Sequence, residues 1–248
     1  LSVAAYLSVV AKSAAIAALG RLLALALPGD IVGWSTAIAV LAAATMTLGN
    51  VAALPQRNVV RLMAYSSIAQ SGYLLMGIAA LERSDQGLPA FIFYAFAYAA
   101  MNLAAFAVVF AVQRERRSVD IDAFRGLGRT HPWWTAILVL ALLSLLGLPP
   151  LAGFVGKLEL FTASIDAGQA WLAVIAVINT VISLVYYLRV TAPTLLEPAP
   201  EEPPLDDRRR QGRPLGTVLA AGGVGTVAIG LVAEPLINLA EAATMLVG

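Results

Sequence analysis

The 248-residue chain is 60% hydrophobic and 12% charged, with a formal net charge of +1. A soluble domain carries about 25% charged residues, so there is too little polar surface here to cover a water-soluble body, and the balance gives no electrostatic footprint for nucleic acid. The absence of cysteine rules out disulfides, Cys-ligated zinc and Cys-bound iron–sulfur clusters, and the lone His131 cannot build a histidine metal site.

The N-terminal stretch, Leu1-Ser2-Val3-Ala4-Ala5-Tyr6, has no basic region and no cleavage site, so it does not read as a signal peptide. It reads as the interior of a hydrophobic helix in a longer, truncated chain. A spanning helix needs about 20 apolar residues. Six stretches meet that length: 1–27, 31–54, 59–81, 88–112, 170–196 and 215–232, the last followed by an interfacial tail from Pro235 to Gly248. A seventh region, 133–166, carries Pro149-Pro150 in its middle, flanked by Gly147 and Gly153. Proline removes a backbone donor and clashes with the preceding turn, so this region is predicted to be a broken helix. Interrupted backbone is tolerated at membrane depth only where protein or a wet cavity surrounds it.

Charge decides whether the broken region crosses once or twice. Counted once, one side of the membrane receives Arg57, Arg114, Arg116, Arg117, Arg125, Arg129, Arg208, Arg209, Arg210 and Arg213, and the other receives only Arg83. The positive-inside rule places the first set in the cytoplasm. Seven membrane helices with an outer C-terminus follow. The loop 197–213 reads as a solvated cytoplasmic linker. Between Val119 and Gly128, Ile121, Phe124 and Leu127 recur at helical spacing, which fits either a short amphipathic helix on the membrane surface or an irregular polar loop.

Two lysines sit deep in apolar sequence: Lys12 in VVAKSA and Lys157 just after the break, in GFVGKL. An ammonium at mid-bilayer costs at least about 2.5–3.5 kcal/mol, so such a residue faces the protein interior and does a job there, or snorkels to the interface. Snorkelling suits Arg21, Arg61 and Arg189. For Lys12 and Lys157 the depth favours burial, where the charged and neutral forms of an amine come into balance and a neighbouring charge can shift the proton. Tyr65, Ser66, Ser67 and Gln70 add hydroxyl and amide groups in the third stretch, for helix–helix hydrogen bonding or for a water wire. Glu159 lies two residues after Lys157, about 200° away around a helix, so a direct pair is not expected. His131, next to Pro132, reads as a solvated or interfacial histidine.

These residues carry a resemblance. Arg61-Leu62-Met63-Ala64-Tyr65-Ser66-Ser67-Ile68-Ala69-Gln70-Ser71-Gly72-Tyr73 resembles the R-L-x-A-Y-S-S-I-x-H-x-G-Y signature of the antiporter-like, proton-translocating membrane subunits of respiratory complex I. Leu145 to Lys157, LLGLPPLAGFVGK, is similar to the same family's broken-helix segment, and Val181 to Arg189, VISLVYYLR, to its following helix. The context is nearest to the subunit N branch. The resemblance implies a fourteen-helix, all-α membrane fold with two inverted repeats, of which this chain holds the second half. Residues 1–27 then form the membrane helix bearing Lys12. Residues 28–196 form a five-helix repeat including the broken helix 133–166, residues 197–214 a cytoplasmic linker, and residues 215–248 the last helix and tail.

By the same resemblance, Lys12 links two half-channels and Lys157 exchanges protons with the outer side, with Tyr65, Ser66, Ser67, Gln70 and Glu159 as an auxiliary polar path. The family often has histidine at the position of Gln70 and a basic residue at that of Val60. Glutamine carries no proton, so a relay there would need bound water. The implied function is proton translocation coupled to quinone reduction elsewhere in the complex, in a bacterial inner membrane. The other membrane subunits and the lipid bilayer are the implied partners, and the chain is expected to bind no cofactor, NADH and flavin included, and no soluble ligand. The same motifs occur in multi-subunit sodium/proton antiporters and membrane-bound hydrogenases. A non-conducting structural subunit is the alternative of another class, while a solute transporter would need a recognition cluster that the sequence lacks.

Overall fold

Two long helices, Val59–Ala80 and Gly87–Arg116, occupy the middle of the molecule, and the others pack around them. The computed structural model describes residues 5–26 and 33–198, with positions 225, 229–230, 234–235 and 237–240. In chain order the helices are α1 (Leu7–Ala26), α2 (Trp34–Ala53), α3 (Val59–Ala80), α4 (Gly87–Arg116), α5 (Pro132–Leu146), α6 (Ala152–Asp166) and α7 (Ala170–Leu196). Among the described residues the β structure is a single isolated bridge, Asn58 to Asp120.

Local sequence fixes the helix ends. The Asn58 side chain accepts the Arg61 N–H at 3.0 Å, filling one of the donors left open in the first turn of α3. Pro132 opens α5 at a position where its missing N–H costs nothing. Four helices, α1, α2, α4 and α7, are long and apolar enough to cross a membrane. The 22-residue α3 is as long but more polar, because its hydroxyl and amide groups point at neighbouring helices rather than at lipid. Ser66, Ser67 and Gln70 are all buried. The backbones of α2 and α3 approach closely at Gly72, where a Cβ would stand 2.6 Å from the Met46 nitrogen.

The connections gather at two opposite ends, as the charge parity requires. At one end Val59 N–H donates to Val119 O at 2.8 Å, Gly126 N–H to Pro193 O at 3.3 Å, and Arg189 Nη1 to Leu54 O. This end holds the arginine-bearing connection 117–131. At the other, Gln169 Nε2 donates to Ser35 Oγ at 2.7 Å and Ser35 Oγ to Ala79 O at 2.7 Å, joining the starts of α2 and α7 to the end of α3. Since α5 begins at the first end and α6 finishes at the second, the broken helix is one crossing made of two 15-residue halves.

One surface element differs from its simplest sequence expectation. Residues 119–128 form a 3-10 turn, Ile121–Phe124, and part of a one-turn helix, Leu127–Thr130, in place of one continuous amphipathic helix. Gly126 takes a left-handed conformation (φ 64°) between them. Phe124 and Leu127 are buried against the bundle, not laid on a membrane surface. His131 is half-buried: its Nε2 meets Glu115 at 3.3 Å and its ring stacks 4.2 Å from Trp134. Arg21, Arg61 and Arg189 are exposed. The linker beyond Pro198 lies outside the described residues. So does most of the expected span 215–232, although Ile229 and Ile237 pack on the core.

Candidate functional site: two lysines on a polar seam

The interior of this apolar bundle contains Tyr73, Tyr94, Tyr98, Tyr186 and Tyr187, all essentially without solvent contact. A buried tyrosine hydroxyl needs a hydrogen-bond partner. Following those partners traces a polar seam between α1, α3, α4, α5, α6 and α7.

Lys157 lies at the helix break. An α-helix leaves its last four carbonyls without intrahelical donors, and in α5 each of the four is answered. Leu143 O accepts from Gly147 and Leu148 N–H, and Ser144 O from Gly147 N–H. Leu145 O accepts from Gln70 Nε2 at 3.3 Å, and Leu146 O from Lys157 Nζ at 3.0 Å. The negative end of the α5 dipole thus faces the ammonium, a placement that favours a cation by about 0.3–1 kcal/mol at exposed sites and more where partly buried. Lys157 is 3% exposed. Its nitrogen also reaches Thr180 Oγ1 at 3.4 Å and lies 4.4 Å from the centroid of the Tyr73 ring.

The break has the shape this contact needs. Gly147 holds φ at +93°, and a Cβ there would press on the Lys157 shaft, 3.1 Å from its Cδ. At Gly153 a Cβ would fall 1.7 Å from Ser144 O, and the Gly153 N–H donates to Ser144 Oγ at 3.1 Å. The Leu-Pro-Pro segment therefore ends one half-helix and starts the next with the two backbones in contact.

Lys12 approaches the seam from α1. Its Nζ donates to both the carbonyl and the hydroxyl of Ser67 and lies 5.6 Å from the Tyr98 ring centroid. Between the lysines stand Gln70, whose Oε1 accepts from the Tyr94 hydroxyl, and Tyr73, whose ring centroid is 6.3 Å from that of Tyr94. Tyr73 pairs with Thr180 at 2.9 Å, and Thr180 is the partner of Lys157. Ser66 joins a branch through Tyr187 at 2.6 Å. Alongside it, the Tyr186 hydroxyl donates to Asn50 Oδ1 at 2.8 Å and Asn50 Nδ2 to Asn179 Oδ1 at 3.0 Å.

Of the residues singled out from sequence, Lys12, Lys157, Ser66, Ser67 and Gln70 meet on this seam. Tyr65 is half-buried, and none of the hydrogen bonds just described runs through it. Glu159 is half-buried, on a different face of α6 from Lys157. Tyr73, Tyr94, Tyr98, Asn102, Thr180 and Tyr187 were not singled out. Their signal is polar side chains recurring on one helix face, as in Tyr94, Tyr98 and Asn102 at steps of four. No group of three or more His, Cys, Asp or Glu converges among the described residues.

Residues 1–183 match the family model for the transmembrane region of NADH:quinone oxidoreductase and Mrp antiporter subunits. The chain belongs to this family. Within it, the chain is 40% identical over 251 residues to NADH-quinone oxidoreductase subunit N of Dehalococcoides mccartyi, an alignment covering 98% of this chain and 50% of that protein. A chain of the Thermus thermophilus respiratory complex I with bound aureothin superposes on 82% of this chain and 45% of its own length, with a TM-score of 0.65 and 32% identity. A chain of the Mrp complex from a Dietzia species superposes on 93% of this chain and 50% of its own, with a TM-score of 0.83 and 26% identity. The chain thus spans about half the length of the relatives it matches. Membership in this family, together with the apolar helices, makes it a membrane protein.

Proposed function

We propose that this chain supplies the second proton-handling half of a subunit N of NADH-quinone oxidoreductase, in a bacterial plasma membrane, with Lys12 and Lys157 as the proton-exchanging groups. The observation that carries the reading is the setting of Lys157: an amine enclosed by protein at a helix break, held by a free backbone carbonyl and a threonine hydroxyl. Among the described residues, the hydrogen-bond partners found for the two amines are backbone carbonyl and side-chain hydroxyl oxygens. Each amine can therefore lose a proton without stranding a bonded carboxylate, and regain it when a neighbouring charge moves.

Lys12 passes a proton toward Ser67, and the Gln70–Tyr94 and Tyr73–Thr180 pairs mark the way to Lys157. Gln70 and the tyrosines hold water and orient it rather than carrying the charge. Moving one charge against 100 mV costs about 2.3 kcal/mol, so the work comes from quinone reduction in another part of the complex, and the other membrane subunits are the partners. The arginine-bearing end faces the cytoplasm, which puts the C-terminus outside. The family includes Mrp subunits as well, and the Mrp chain's TM-score of 0.83 keeps an antiporter subunit as the second reading. Identity of 40% to a subunit N over nearly the whole chain favours the oxidoreductase.

The test is Lys157→Ala and Lys12→Ala in the full-length protein within its assembled complex, reading protons translocated per electron. Each variant is expected to lower that ratio at least two-fold while the complex still assembles. An unchanged ratio in both overturns the reading and leaves a structural subunit; sodium-dependent transport without quinone reduction would favour the antiporter.

A further inference from the structure

The first helix is not regular where it matters most. Residues Leu7–Ala11, immediately before Lys12, form a π turn, and the Lys12 N–H donates to Val9 O, three residues back, instead of to position 8. Single π turns inside α-helices are uncommon and cluster at functional sites. In a regular helix residues 8 and 12 would stack on one face. The wider turn separates them, so Ser8 meets α4 while Lys12 meets Ser67 on α3.

Side chains of α4 close around that turn. Asn102 Nδ2 donates to Ser8 Oγ at 2.8 Å. The Tyr98 hydroxyl is shared between Ser8 O at 3.0 Å and Ser67 Oγ at 3.1 Å. Tyr98 therefore touches both the distorted turn and the acceptor of the Lys12 ammonium, and its ring lies beside that ammonium. Ser8 Oγ also donates to Ala5 O at 2.8 Å, so the serine that α4 grips is tied into the turn itself. Tyr98 and Asn102 are both fully buried. They sit one turn apart on the same face of α4 as Tyr94, which holds Gln70.

We infer that Tyr98 and Asn102 are positioning residues that hold the π turn of α1 and so aim Lys12 at Ser67. Without them the turn relaxes toward ordinary helix and the amine leaves its acceptor. The inference rests on the proton-handling reading of Lys12, and it adds the residues that set where Lys12 points.

The experiment uses the full-length protein in the assembled complex, with Tyr98→Phe, Asn102→Leu, Ser8→Ala and the double variant S8A/N102L, compared with Lys12→Ala. Y98F removes a single oxygen and N102L keeps the number of side-chain heavy atoms, so native-gel assembly is expected to persist. Y98F and N102L should each lower protons per electron at least two-fold, approaching K12A. The double variant should lose less than the sum of the two single losses, because both changes break the Ser8–Asn102 contact. Normal coupling in both Y98F and N102L overturns the inference. So do additive losses in the double variant, or failure to assemble, since either marks a merely structural role. If K12A itself couples normally, it is the proposed function that fails, a result distinguishable from these.

Discussion

Gly153 shows how one residue without a side chain sets the geometry of a charged one. The ideal Cβ position, 1.7 Å from Ser144 O, is not one that rotamer changes can relieve, because the obstacle is backbone. Any side chain at 153 must push α6 off the end of α5, and Lys157, one turn further along α6, would then draw away from Leu146 O. Overpacking in a tight interior costs about 1–3 kcal/mol where the surroundings can adjust, and here they adjust only by opening the break. Gly153→Ala is therefore expected to lower the thermal midpoint of the purified complex and the amount of subunit retained in it. Wild-type values for both would mean that the two half-helices are not in contact. The neighbouring Gly156 tolerates no more: its Cβ would stand 2.7 Å from the Tyr94 ring, so the G-F-V-G-K motif reads as two close approaches followed by the amine they position.

At the scale of helices, the elements were legible because each apolar stretch ended at proline, glycine or charge, and the break was legible because Pro149-Pro150 admits no continuous helix. The lysines stood out by depth alone. Their surroundings were harder to read, since a tyrosine or asparagine in a membrane helix looks the same in sequence whether it faces lipid headgroups or a buried seam. Thr180 is the clearest case: it lies in an apolar run, and only the packing of α7 against α3 and α6 brings it to both Tyr73 and Lys157. The π turn before Lys12 left no mark in composition. Residues 121–130 kept their apolar spacing but not a helix, because Gly126 breaks it and Pro193 O takes up the freed N–H. The Asn50–Asn179–Tyr186 branch has a different role from the lysines, as it ties α2 to α7. Hydrogen bonds between membrane helices average about 0.6 kcal/mol and reach about 1.7 kcal/mol, so Asn179→Leu is expected to cost roughly 1 kcal/mol of stability. Chemical or thermal unfolding of the complex measures this, and the proton-to-electron ratio should stay near its normal value. A coupling loss as large as that of Lys157→Ala would place this branch on the proton route instead.

At the scale of the whole molecule, the described residues form two dissimilar ends, and their difference predicts an orientation. At one end lie Arg57, Arg114, Arg117 and Arg129, with Arg125 bridging Asp122 at 3.1 Å and Glu197 at 2.8 Å. The opposite end is formed by residues 81–86 and 167–169, whose one basic residue is Arg83. Arginine flanking a membrane segment resists transfer across the bilayer during insertion, and acidic residues contribute little to this bias. The end rich in arginine is therefore predicted to stay in the cytoplasm, even though Asp120, Asp122 and Glu197 share it. Cysteine placed at the exposed Asp120 or Asp85 of this chain, whose own sequence has no cysteine, reports this directly, because the two positions lie at opposite ends. With a membrane-impermeant maleimide, Asp85→Cys should label in right-side-out vesicles and Asp120→Cys only in inverted ones. The reverse pattern would turn the molecule over, and Lys157, on the half-helix that runs to the Asp85 end, would then exchange its proton with the cytoplasm.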